Sequence, residues 1–111
     1  MSEIDVVHVL DAMNKLETAL GDEWKNNQTL IESKAKALSE YDKAIAIKTI
    51  SLKASGKPTT IIPQLAKGEC EDELYQKILA EEMLKAHYVR IDILRSQLSA
   101  KKSVLEKFNI I

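Results

Sequence analysis

Two prolines, three glycines and one cysteine leave this 111-residue chain few ways to turn, strain or cross-link its backbone. Cys70 has no second cysteine with which to form an internal disulfide or a cysteine-based metal cluster. Aromatic residues make up 5% of the chain, and helix-favouring residues dominate it, which excludes an all-β fold. No apolar run approaches the roughly 20 residues that cross a bilayer. The first residues show no basic region leading into an apolar run, so the expectation is a cytoplasmic protein with no membrane partner. Nucleotide loops, His/Cys spacings for a metal and nucleophile elbows are also missing. No catalytic residue, metal or cofactor is expected, and the chain reads as a non-enzyme.

What is present is helix, interrupted once. Both prolines and two of the three glycines lie between Ser55 and Asp72. Gly56 supplies a left-handed helix end and Pro58 cannot continue a helix. Thr59 or Thr60 is placed to cap a short turn through Ile61, Ile62, Leu65 and Ala66, which Gly68 would close. Glu69, Glu71, Asp72 and Glu73 then put negative charge at the positive end of the next helix dipole. This is the apex of a helical hairpin. The expected fold is all-α: a long antiparallel, coiled-coil-like hairpin with a short apex helix. Two helices enclose little in one copy, so the hairpin is expected to assemble into an oligomeric bundle.

Charge supports the antiparallel pairing although the net charge is only −1. Residues 1–23 carry six acids against Lys15, and residues 33–57 carry six lysines against Glu40 and Asp42. Residues 69–82 are again acidic and residues 83–108 basic. Folding at the apex sets each acidic stretch against a basic one.

Ser2-Glu3-Ile4-Asp5 resembles a capping box with aspartate in the usual glutamate position. Val6, Val9, Leu10, Met13, Leu16 and Leu20 follow on one helical face. At Gly21-Asp22 two readings compete, a glycine tolerated within one long helix or a bend or break, and the second is preferred. The resulting boundaries are an amino-terminal helix over 1–20, a first hairpin helix over 22–55, an apex over 56–70 and a second hairpin helix over 71–108. Counted back from the apex, the second helix reaches about residue 18, leaving the segment before Gly21 as an overhang.

Beyond the apex, Leu74, Ile78, Tyr88, Ile91, Leu94, Leu98 and Leu105 form one apolar stripe. A second contains Tyr75, Leu79, Met83, Ala86, Val89, Ile93, Val104 and Phe108, so the helix has more apolar surface than one neighbour covers. Val6, Leu10, Met13, Trp24, Leu94, Leu98, Val104 and Phe108 are the candidate oligomer interface. Asn27 and Gln97 interrupt apolar stripes, where a polar residue sets register. His8 and His87 lack partners at ligand spacing and read as surface or interface histidines. The strongest candidates for ligand binding are Lys53, Lys57, Thr59, Thr60 and Lys67, since lysines and hydroxyls at helix ends can hold a phosphate group. The plainer account is a capped turn with solvated lysines.

The runs Glu40-Tyr41-Asp42-Lys43-Ala44-Ile45-Ala46, Leu65-Ala66-Lys67-Gly68-Glu69-Cys70-Glu71-Asp72-Glu73 and Arg90-Ile91-Asp92-Ile93-Leu94-Arg95-Ser96-Gln97-Leu98-Ser99-Ala100 resemble small helical early proteins of phages and prophages of Gram-positive bacteria. The likeness covers residues 15–106. It implies an early phage protein of the host cytoplasm, with no established activity. The leading expectation is an oligomeric accessory protein that binds a host or phage protein in antiviral defence or DNA metabolism. A sponge that sequesters a nucleotide immune signal between subunits is the alternative. Single-stranded nucleic-acid binding by the basic segments is a third reading, weakened because the aromatics lie on packing stripes.

Overall fold

A computed structural model describes residues 2–109, and its regular elements over them are all helices: α1 spanning Glu3–Ala54, α2 Ile62–Glu69 and α3 Glu71–Lys107. The chain forms two compact units. One joins the residues up to Asn27 with those from Lys85 onward, and the other is Gln28–Leu84.

The start of α1 is built as its sequence specifies. Ser2 Oγ accepts from the Asp5 backbone N–H (3.2 Å), and Asp5 Oδ2 accepts from the Ser2 N–H (3.2 Å) and hydroxyl (2.8 Å). These bonds, the hydroxyl's first, hold the exposed Asp5 carboxyl below its ordinary range. The other end also follows the expected chemistry. Gly56 has φ +79°, its N–H donates to the Lys53 carbonyl, and the Lys57 N–H donates to the Leu52 carbonyl. That pair of bonds is a Schellman ending.

Between these ends the helix is unbroken. The helix break allowed for at Gly21 does not occur: α1 runs through it with no positive φ there. A helical glycine costs roughly 1 kcal/mol. In the first unit α1 faces α3 on both sides of Gly21, at Ala12 and Leu16 and again at Glu23 and Asn27, and such packing outweighs one unfavourable propensity.

The second unit contains the apex. Ile62 and Ala66 of α2 are buried against Leu52, with Ile45 packed alongside. Neither Thr59 nor Thr60 is the expected cap: Ile61 occupies the N-cap position, no side chain caps the helix, and Pro63 enters its first turn. Gly68 lies within α2 and does not close it. Cys70 alone separates α2 from α3, its N–H donating to the Ala66 and Lys67 carbonyls and its carbonyl accepting from Leu74.

Pairing is antiparallel in this unit, since Lys77 lies over the Tyr41 ring at 4.9 Å while Lys48 bonds Glu69 at 3.3 Å. Because α2 folds back along the end of α1, α3 starts opposite Lys48 rather than opposite Ala54. That shift of register corrects the expected overhang before Gly21. In the first unit α1 still faces α3 at Ala12, which lines a groove with Ala100.

The buried and half-buried positions of α3 from Lys77 to Leu105 include Leu84, His87, Ile91, Leu94 and Leu98, at alternating steps of three and four. Val9, Met13, Leu16, Leu20, Glu23 and Asn27 repeat that spacing in α1 and are half-buried. This is the spacing of a helix-pairing seam. Ile78 and Tyr88, grouped with the seam by sequence, are exposed. Each lies one residue past an inward-facing position, Lys77 or His87, and so is turned about 100° around the helix from it.

Candidate functional site: a buried polar layer in the first unit

One histidine interrupts the apolar seam. His87 is fully buried, and its ring nitrogens reach two side chains of α1: Nδ1 lies 2.9 Å from Glu23 Oε2 and Nε2 lies 3.1 Å from Asn27 Oδ1. Glu23 and Asn27 are four residues apart, so they project from one face of α1 and bracket the ring. Arg90, three residues beyond His87, donates its Nε–H to Glu23 Oε1 at 2.9 Å. Each Glu23 oxygen therefore accepts from a different residue of α3. The His87 bond first, and Arg90 second, hold the Glu23 carboxyl below its ordinary range.

Two proton arrangements satisfy the layer. With Asn27 Oδ1 toward the ring, both ring nitrogens face acceptors and His87 donates twice as an imidazolium. With the amide turned over, Asn27 donates to Nε2 and a neutral ring donates to Glu23 alone. No buried side-chain nitrogen or oxygen among the described residues lacks a partner. Because the ring is sealed from solvent, its chemistry is that of helix pairing.

The sequence placed Asn27 correctly as a polar interruption. It gave His87 no partners and left Glu23 unremarked. The signal was the seam spacing: Glu23 and Asn27 fall on consecutive seam positions of α1, and His87 falls on one of α3.

Lys53, Lys57, Thr59, Thr60 and Lys67 are all exposed, and among the described residues no hydrogen bond or ion pair joins any two of them. An ion pair in this unit joins Lys48 and Glu69. Of the interface candidates, Val6, Met13, Leu94 and Leu98 are half-buried in the first unit, while Leu10, Trp24, Val104 and Phe108 are exposed. Trp24 carries the Arg95 guanidinium over its ring at 5.4 Å. His8 is exposed and Cys70 is buried. Among the described residues no three His, Cys, Asp or Glu side chains gather as a metal site, and no helix is long and apolar enough to cross a membrane.

Each unit has a groove along its helix pair. That of the first unit, about 500 Å³, is lined by Ala12, Lys15, Leu16, Gln97, Ala100 and Lys101. That of the second, about 300 Å³, includes Leu30, Ala37, Leu79, Ala80 and Met83 with Lys36 and Glu40 at its edge.

Comparison of the chain with protein-family models, curated proteins and solved structures finds no match.

Proposed function

We propose that the protein acts by binding and not by catalysis, as an oligomeric, coiled-coil-like helical accessory protein. Its partner in this reading is a host or phage protein of antiviral defence or DNA metabolism, met in the bacterial cytoplasm. The observation that supports binding is the balance of apolar surface. Among the described residues nineteen large hydrophobic side chains are exposed and seven hydrophobic residues are buried. Apolar side chains left exposed along the helices support a reading in which partners cover them. The phage setting rests on the sequence resemblance.

Part of this surface lies on α1 of the second unit, where Ile31 and Leu38 stand two turns apart and exposed. A photo-crosslinking residue at position 38 tests the reading in a lysate of the bacterial host. The expected outcome is one discrete adduct whose captured protein, once purified, binds the wild-type chain and binds the Ile31→Asp variant at least tenfold more weakly. Adducts spread over abundant proteins, or equal binding of the folded variant, would overturn it.

A further inference from the structure

We propose that the layer of Glu23, Asn27, His87 and Arg90 selects helix partners: it admits α1 against α3 in the first unit and excludes pairing of either helix with its own counterpart from a second copy. The inference stands apart from the functional reading above, because it concerns the seam and not the exposed faces.

The apolar part of the seam makes no such choice. On α1 it is Val9, Met13, Leu16 and Leu20, and on α3 Ile91, Leu94, Leu98 and Leu105, all at steps of three, four or seven. Two α1 segments, or two α3 segments, would bury an apolar seam of the same spacing.

The polar layer does choose. In both proton arrangements Glu23 accepts from His87 at 2.9 Å and from Arg90 at 2.9 Å, so the anion is on α1 and its donors are on α3. An α1–α1 pair would bring two Glu23 carboxylates to the seam, where none of Val9, Met13, Leu16, Leu20 or Asn27 is a cation. An α3–α3 pair would enclose two imidazoles with no carboxylate at the seam positions from His87 to Leu105. Polar and charged groups buried without partners are heavily penalised, and one such interruption of an apolar seam restricts which helices pair.

Exposed charge favours the same unlike pairing, since residues 1–23 are acidic and residues 83–108 basic. Salt separates the two effects. In about 1 M salt the Debye length falls to about 3 Å, which screens exposed charges and leaves a sealed layer in force.

Disulfide crosslinking of the full chain at that salt concentration tests the proposal. Leu20 and Leu94 lie one heptad from Asn27 and His87, so they face each other as those two residues do. In the Cys70→Ala/Leu20→Cys/Leu94→Cys variant, mild oxidation should join the two positions within one chain. Adding Glu23→Leu/Asn27→Leu/His87→Leu should raise the share of disulfides between copies, position 20 to 20 and position 94 to 94, at least tenfold. His87→Leu added alone leaves Glu23 bonded to Arg90 and should release only the 94-to-94 product, so the result does not rest on the folding of the triple variant. A triple variant that is helical by circular dichroism and still crosslinks only within the chain overturns the inference. So does an intact layer that yields the products between copies just as readily, or a His87→Leu variant that yields no 94-to-94 product.

Discussion

Glu23 and His87, 64 positions apart in sequence, meet through a 2.9 Å contact in which a carboxylate on α1 takes a fully buried imidazole on α3. Buried polar groups of this kind are costly when half-satisfied and nearly neutral when removed together. Glu23→Ala should therefore destabilise the protein by about 1–3 kcal/mol, since it strips both His87 and Arg90 of an acceptor. The triple change Glu23→Leu/Asn27→Leu/His87→Leu should recover stability to within about 1 kcal/mol of the wild type. Urea denaturation of the two variants measures both outcomes.

The same contact gives a pH dependence of definite sign. The folded state holds the Glu23 carboxyl below its ordinary value of 4.5, so the folded state binds fewer protons there than the unfolded state. Its contribution is present in full above the ordinary carboxylate range and is lost as pH falls through the lowered folded value. Denaturation curves from pH 7 down to pH 3 should show the wild type converging on Glu23→Gln. A difference that persists unchanged at the acid end would contradict the assignment.

Gly56 and Gly21 should respond oppositely to alanine. A Cβ built at either site meets nothing within 4 Å, so only the backbone decides. At Gly56, φ +79° makes Gly56→Ala cost about 1–2 kcal/mol. At Gly21, inside α1, Gly21→Ala should stabilise by about 0.5–1 kcal/mol. Melting temperatures of the two single variants test the contrast.

Caps separate Ser2 from Thr60 in the same way. Ser2→Ala removes the hydrogen bonds that begin α1 and should cost about 1 kcal/mol, seen as faster amide exchange in its first turn. Thr60 makes no cap bond, and Thr60→Ala should stay within about 0.5 kcal/mol of the wild type.

These contrasts show what could be read from residues alone. The capping box, the Gly56 ending and the start of α3 depend on a few neighbouring residues, and local chemistry placed them. The register of α3 against α1 depends on how α2 folds back on Leu52, a packing event that no local pattern encodes. The overhang was misplaced for that reason. Gly21 misled because a propensity near 1 kcal/mol is weaker than the packing on either side of it. At the polar layer, Asn27 was legible as an interruption of a stripe. His87 was not, because its partners lie more than 60 positions away and only the register joins them.

The difference in span between the two units also sets an order of folding. Joining Lys48 to Glu69 closes a loop of 21 positions, whereas joining Glu23 to His87 directly closes one of 64. The longer closure costs about 1 kcal/mol more in chain entropy, and most of that cost disappears once the apex has formed. The hairpin should therefore zip outward from the apex, with the histidine layer among the later contacts to form. Substitutions at Glu23 or His87 would then act mainly by speeding unfolding and leave the refolding rate almost unchanged, whereas substitutions at Leu52, Ile62 or Ala66 would slow refolding.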